Sequence, residues 1–360
     1  MFDSESNRNT SAYPLVSVCM NSYKHERYVS EAIDSVLAQD YPNIELVIVD
    51  DASPDNTAAI VQEYSTRHPE RIRATLLKEN EGPSRAGNRA YAAARGEYIA
   101  FLGSDDRMLP GRISRQVSFL QEHPGHIVVF SSVAIIDGEG KRSTDAKYLE
   151  NSFNQPITHL RQHLLKGNFL NAPSALLRRK DLIESGGSSP LLKYVQDYDL
   201  WGRLLLRGEL AKLDEVLTEY RVHGQNLSIS DSKGPTFAAR CETVSVIVNM
   251  AQQWSLESIF ERPILSPADE VSATLELVEI LKDADRRYFG EASLASALAY
   301  QLIIKTSWID PIACQAAKDA LEAFMQGAPA KRFQTSFKFL NRRFKVLISS
   351  SPRKRKRPAP

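Results

Sequence analysis

Cysteine is scarce in this 360-residue chain. The three that occur, Cys19, Cys241 and Cys314, are odd in number and far apart. They exclude a disulfide framework and a cysteine zinc site, and they favour a reducing compartment. Long apolar runs are missing as well, since none approaches the roughly 18 residues of a membrane-spanning helix. The opening "MFDSESNRNTS" lacks a basic-then-apolar pattern, so no secretory leader is expected. No G-x-G-x-x-G follows the first strand pattern, which disfavours a dehydrogenase. His123 and His126 in "HPGH" have no acid or cysteine to complete a metal site and read as turn residues.

What is present is an ordinary globular composition, 42% hydrophobic and 25% charged. The length implies one large domain with an extension, or two domains. The net charge of +1 is unevenly spread. From Lys331 onward there are eleven Lys or Arg and no acid, which leaves 34 basic against 44 acidic residues before it, a net of −10. Such a division marks a basic tail with its own partner.

Residues 1–13 are polar. Strand and helix patterns then alternate. "LVSVCM" (15–20), "IELVIV" (44–49), "RIRATLL" (71–77), "EYIAFL" (97–102) and "HIVVFSSVAII" read as buried strands with amphipathic helices between them. Pro83 opens one of these helices and Gly96 closes it. This rhythm predicts an α/β fold, a mostly parallel central sheet flanked by helices. A helix near 156–166, a strand at 173–179, a helix at 197–208 and strands near 210–222 follow. A turn-rich stretch at 223–236 reads as a boundary, and the pattern beyond it is helical to about residue 327. The expected division is 1–13, 14–230, 236–330 and 331–360.

Ligands of open parallel sheets sit beyond the carboxyl ends of the strands. Three polar clusters fall there: "MNSYKHE", "VDDASPDN" and "GSDDRML". Asp105 and Asp106 are adjacent like charges, costly unless something positive sits beside them. Either they hold a nucleotide and its Mg or Mn ion, or they are a solvated turn. The acids Asp197 and Asp199 likewise fit the first turn of a helix whose apolar stripe is Leu200, Trp201, Leu204 and Leu205.

Together "PLVSVCMNSYKHERYVSEAIDSVLAQDYPNIELVIVDDASPDNT", "NEGPSRAGNRAYAAARGEYIAFLGSDD", "YVQDYDLWGRLLLRG" and "YRVHGQNLS" resemble the family 2 nucleotide-sugar glycosyltransferases of GT-A fold, over roughly 14–225. The resemblance implies an inverting transferase with a C-terminal helical extension. It assigns the donor nucleotide to Asn21, Tyr23, Asp50, Asp51, Arg85, Asn88, Ser104 and Asp105. It gives the divalent cation, Mg or Mn, to Asp106 with His223, and the catalytic base to Asp197, leaving Asp199 to helix capping. Gln196 stands where the family has Glu, and Gly103 where many relatives have Asp. The implied partners are a nucleotide-sugar donor and a glycan or lipid-linked acceptor, as in polysaccharide, lipopolysaccharide or glycoconjugate synthesis. Two rivals are a non-catalytic carbohydrate-binding scaffold and a sugar nucleotidyltransferase. The latter lacks its glycine-rich loop here.

The helical extension either covers the acceptor side or makes an oligomer. In the tail, Phe333, Phe337, Leu340, Phe344 and Leu347 form one apolar stripe flanked by Lys338, Arg342, Arg343 and Lys345. A basic amphipathic helix of this kind either binds an anionic membrane surface or packs on the body. The acidic body argues against nucleic acid. The expected location is cytoplasmic, with the inner membrane face as the site of any peripheral attachment. Flotation on anionic liposomes decides: a membrane-bound tail gives recovery that is lost when 331–360 is removed, and equal recovery excludes it.

Overall fold

The computed structural model describes residues 13–224, 226 and 237–288. The chain divides into two compact units, one running through Trp254 and the other from Ser255 onward. The tail stripe and the cluster of basic residues fall outside the described residues.

The first unit begins with β1 (Val16–Ser22), α1 (Val29–Leu37), β2 (Ile44–Asp50), α2 (Thr57–Arg67), β3 (Ile72–Leu76), α3 (Pro83–Ala93) and β4 (Tyr98–Phe101). Then come β5 (Arg107–Met108), α4 (Arg112–Glu122), β6 (His126–Ile136), α5 (Lys147–Phe153), α6 (Leu160–Leu164), β7 (Leu176–Arg178) and α7 (Arg179–Glu184). It closes with α8 (Gln196–Leu204), β8 (Glu209–Arg221) and α9 (Phe237–Gln253). One eight-stranded sheet has the order β3-β2-β1-β4-β7-β6-β8-β5.

Every residue of β2 is buried, as its apolar run from Leu46 to Val49 requires when helices cover both faces. Helix α1 supplies Val29, Ala32, Ile33 and Val36 to the same core. Trp201 of α8 is fully buried, with its ring edge-on to Phe130 at 4.9 Å. A polar knot closes the opposite end of the sheet. Ser17 donates to buried Glu45 at 2.6 Å, and Glu45 also takes Arg95 and Arg73. The chain passes so close here that a Cβ on Gly96 would lie 2.6 Å from the Ser17 nitrogen.

Strands β1 to β4 are mutually parallel. Strand β7 runs against both β4 and β6, and β8 is parallel to β6. Strands β1, β2, β3, β4, β6 and β8 therefore point one way and share one carboxyl edge. The sheet is more mixed than the alternation predicts: the strand expected at 173–179 is β7, which runs the other way, as does β5, whose two residues are too few to show a pattern. Helix α5 was not expected either; none of its residues is fully buried, and only Leu149 and Phe153, one turn apart, pack on Val133 and Ile135. The helix expected at 156–166 is confined to α6, and the strands expected near 210–222 are the single strand β8.

The first unit continues past residue 230. Helix α9 buries Val244, Val246, Ile247, Met250 and Ala251. Met250 lies against Gly202 of α8, and the Trp254 indole donates to the Gly202 carbonyl at 3.2 Å. The second unit carries α10 (Leu256–Phe260) and α11 (Pro267–Tyr288), with Ala273, Leu277, Leu281 and Ala284 buried. No helix among the described residues is long and apolar enough to cross a membrane.

The strongest tie between α9 and the segment before α8 is Glu242. Its carboxylate accepts from the backbone N–H groups of Lys193, Tyr194 and Val195 at 2.8–3.3 Å. This places an anion at the N-terminus of α8, where the helix dipole favours it. Glu242→Ala is expected to lower the free energy of unfolding by about 1–3 kcal/mol, read by denaturant titration.

Candidate functional site at the carboxyl edge of the sheet

Asp105 and Asp106 follow β4, and their side chains diverge. Asp105 Oδ2 lies 3.1 Å from His223 Nε2 and 3.8 Å from His25 Nε2. Asp106 is buried, and its Oδ1 accepts from the Arg221 backbone N–H at 2.8 Å. The sequence reading paired Asp106 with His223; the structure pairs Asp105 with it. Consecutive residues in this turn face different sides, a fact the order of letters does not carry. Burial and then the Asp105 charge push the Asp106 carboxyl well above the usual range. Burial opposes ionisation of Asp105 too, but His223 and His25 outweigh it and hold Asp105 low.

Gly103 gives the two carboxylates room. A Cβ there would collide with the Asp106 carboxylate and lie 2.7 Å from Asp105 Oδ1. Ser104, expected on the donor, is buried with its hydroxyl 2.7 Å from His25 Nδ1. His25 itself comes from the β1–α1 turn and was not singled out from the sequence. Its only signal there was a place in the first polar cluster. Burial lowers its pKa, against the pull of Asp105. His25, Asp105 and His223 offer donor atoms that all lie within 4.8 Å of one another.

Arg221 braces this arrangement. It is 1% exposed and donates through Nε to the Asp105 carbonyl at 2.7 Å, through Nη2 to Glu31 at 2.7 Å and through Nη1 to the Asp137 carbonyl at 3.2 Å. Its guanidinium also lies 4.8 Å from the centre of the Tyr28 ring. Arg112 is fully buried beneath the same loop and donates to the Phe101 and Ala175 carbonyls. Burial pushes its pKa down to about 9, opposed by the charge of Asp106.

Asp50 and Asp51 end β2. Asp50 is wholly buried, accepting from Ser22 Oγ at 2.9 Å, from Ser53 N–H at 2.9 Å and from Ser53 Oγ at 2.6 Å. Asp51 accepts from Glu81 N–H at 2.7 Å and Gly82 N–H at 2.9 Å, fixing the entry to α3. Both carboxylates shape the loop. Asn88 is likewise occupied: its amide exchanges two hydrogen bonds with the Ser188 backbone, at 2.7 and 2.8 Å. Asn21, Tyr23 and Arg85 are exposed.

Asp197 stands in the first turn of α8, half-buried, with its Oδ2 accepting from Asn168 at 3.0 Å and its Oδ1 from Tyr198 N–H at 2.8 Å. Burial raises its pKa to about 6. Asp199 does not cap the helix; it pairs with Arg203 one turn on, at 2.8 Å. A cavity of about 150 Å³ is lined by Asn21, Tyr91, Gly103, Gln196, Asp197 and Leu200, among others. Asp197 and Gly103, at the head of the acid loop, therefore border one space. Tyr220 registers the same convergence: after burial, the fields of Asp106, Asp105 and Asp197 all push its hydroxyl pKa up. A wider hollow of about 640 Å³ is lined by Lys24, Arg27, Tyr28, Asp55 and His223.

The fold is the GT-A type. S. aureus TarS 1–349 in complex with UDP-GlcNAc superposes with a TM-score of 0.58 over 88% of this chain and 93% of that one, at 20% identity. The family model for Glycosyl transferase family 2 matches residues 17–186. The putative teichuronic acid biosynthesis glycosyltransferase TuaG of Bacillus subtilis is 33% identical over 221 residues, 61% of this chain and 83% of that protein. An uncharacterized glycosyltransferase of Rickettsia typhi is 32% identical over 215 residues, 58% of this chain and 64% of its own length. The chain belongs to the family 2 glycosyltransferases.

Removing the brace tests its role. Arg221→Met is expected to cost about 2–4 kcal/mol in unfolding free energy, since it removes the charge-assisted bonds that a buried guanidinium makes to the Asp105 and Asp137 carbonyls and to Glu31. Denaturant titration of the purified variant measures this.

Proposed function

We propose that the protein is an inverting glycosyltransferase that moves a sugar from a nucleotide-diphosphate donor to a hydroxyl of a glycan or lipid-linked acceptor, in assembly of a surface polysaccharide or glycoconjugate. One observation carries the reading: Asp197 of α8 and Gly103, the residue that leads into the acid loop after β4, line a single cavity. TarS 1–349 was crystallised with UDP-GlcNAc, and TuaG is named for teichuronic acid biosynthesis. These support a uridine-diphosphate sugar as donor and a cell-envelope polymer as acceptor.

In this reading a divalent cation is held by Asp105 with His223, rather than by Asp106. The donor chemistry fits, for a carboxylate held ionised and an imidazole meet at 3.1 Å. Such an ion supplies charge neutralisation of a departing diphosphate. Asn21, Tyr23 and Arg85 present polar, exposed side chains to the nucleotide. Asp50, Asp51 and Ser104 fix the loops that surround it, and Asn88 ties α3 to the Ser188 loop.

Asp197 acts as general base. It takes the proton of the acceptor hydroxyl while that oxygen bonds to the anomeric carbon, and the carbon–oxygen bond to the diphosphate breaks. Approach opposite the leaving group inverts the carbon. A base needs a pKa near but below working pH, and burial places Asp197 there. Arg221 and Ser104 hold the cation side, while Asn168 holds the base.

Asp197→Asn is expected to fold normally and lose roughly 10²–10⁴-fold in turnover. The wild-type kcat/KM is expected to fall as pH drops through about 6, because protonated Asp197 cannot accept a proton. That acid limb disappears in Asp197→Asn. Transfer from UDP-sugars, followed by released UDP, measures both; an unchanged rate in the variant excludes Asp197 as the base.

A further inference from the structure

His25 lies in a turn that the fold pins from three directions. Its backbone N–H donates to Thr57 Oγ1 at 2.9 Å, its Nδ1 is paired with Ser104 Oγ at 2.7 Å, and its ring meets that of His223 edge-on at 5.6 Å. A hydrogen bond to one ring nitrogen fixes which way the other points, as in histidines that bind metal ions. Here the Ser104 contact leaves Nε2 turned toward Asp105 Oδ2, at 3.8 Å. His223 Nε2 reaches the same oxygen at 3.1 Å. Neighbouring ligands of an octahedral ion with bonds of about 2.1 Å stand about 3.0 Å apart. Small side-chain movements bring three donor atoms that already lie within 4.8 Å of one another onto one face of such an ion.

We propose that His25 is a third protein ligand of the cation, so that two imidazoles and one carboxylate make the site selective for Mn²⁺ or a related transition ion over Mg²⁺. The inference rests on the reading that Asp105 and His223 hold a cation, and it adds both a ligand and a preference. Magnesium favours all-oxygen shells and sheds water reluctantly, whereas imidazole suits transition ions. Ser104 is then a positioning residue: it touches His25 and reaches no substrate. The same contacts could serve only to brace the β1–α1 turn, and the metal preference separates the two roles.

The test is direct binding to the full chain, without turnover. Calorimetric titration with MnCl₂ and with MgCl₂, each with and without UDP, is expected to show Mn²⁺ at least tenfold tighter. His25→Ala is expected to lose tenfold or more in Mn²⁺ affinity and to bring the two ions closer together. Ser104→Ala is expected to fall between, since loss of an orienting partner commonly costs 10–100-fold. Pulsed EPR of Mn²⁺ on the wild-type chain should show couplings to two ¹⁴N nuclei, a readout that needs no variant and stands even if His25→Ala fails to fold. Equal affinities for the two ions, or a single ¹⁴N coupling with full Mn²⁺ affinity in His25→Ala, overturns the role of His25 and leaves the Asp105–His223 reading standing. Failure of both ions to bind the wild-type chain, even with UDP, overturns the cation reading and this inference together.

Discussion

Two carboxylates on successive residues at the mouth of a sheet repel each other, and burial sharpens the repulsion. The rest of the site depends on how that conflict is resolved. The chain sends the two groups apart. Asp105 turns out to a pair of imidazoles, and Asp106 turns in to the backbone of Arg221 above buried Arg112. One carboxyl is thereby held low and its neighbour high. A Cβ at position 103 would crowd both carboxylates as they stand here.

That arrangement relies on strand direction. Six strands deliver their carboxyl ends to one edge, so loops distant in sequence meet there. His25 follows β1, Asp105 follows β4 and His223 follows β8. Arg221, the last residue of β8, stitches these loops: it donates to the Asp105 carbonyl, to Glu31 of α1 and to the Asp137 carbonyl after β6. Charge-assisted bonds to several acceptors satisfy a buried guanidinium far better than one ion pair would. The position of His223, two residues on, is a consequence of that anchoring.

Much of this was legible. Buried strands such as β2 announce themselves by runs of apolar residues, here Leu46–Val49, and Pro83 marks the start of α3 as expected. The acid loop and Asp197 were readable as a constellation because the family's motifs occur in order. What the letters could not convey was direction. Whether Asp105 or Asp106 faces outward depends on the bend at Gly103, and whether Asn88 faces a ligand or Ser188 depends on a loop a hundred residues away. His25 was hidden for a related reason. Its partner, Ser104, lies 79 positions later, and no local periodicity links the two. Arg221 stood in a quoted motif, yet its weight comes from burial, and a sequence does not show burial of a charge.

The base side of the cleft is built on different principles. Among the described residues Asp197 has no cationic partner in its hydrogen-bonding shell; it keeps two modest donors, Asn168 and the Tyr198 N–H, and burial raises its pKa to about 6. A strong ion pair would have lowered it and blunted it as a proton acceptor. The acid that does carry a cation in this helix is Asp199, paired with Arg203, whose guanidinium also reaches the Ser185 and Gly187 carbonyls. The helix thus anchors itself through one aspartate and leaves the other poised. The N-terminus of α8 is further held from α9 by Glu242, which lies beyond the residues the family model covers. Orientation of Asp197 therefore depends on a segment whose sequence advertises only helical periodicity. Part of the site's geometry is specified by residues with no chemistry of their own.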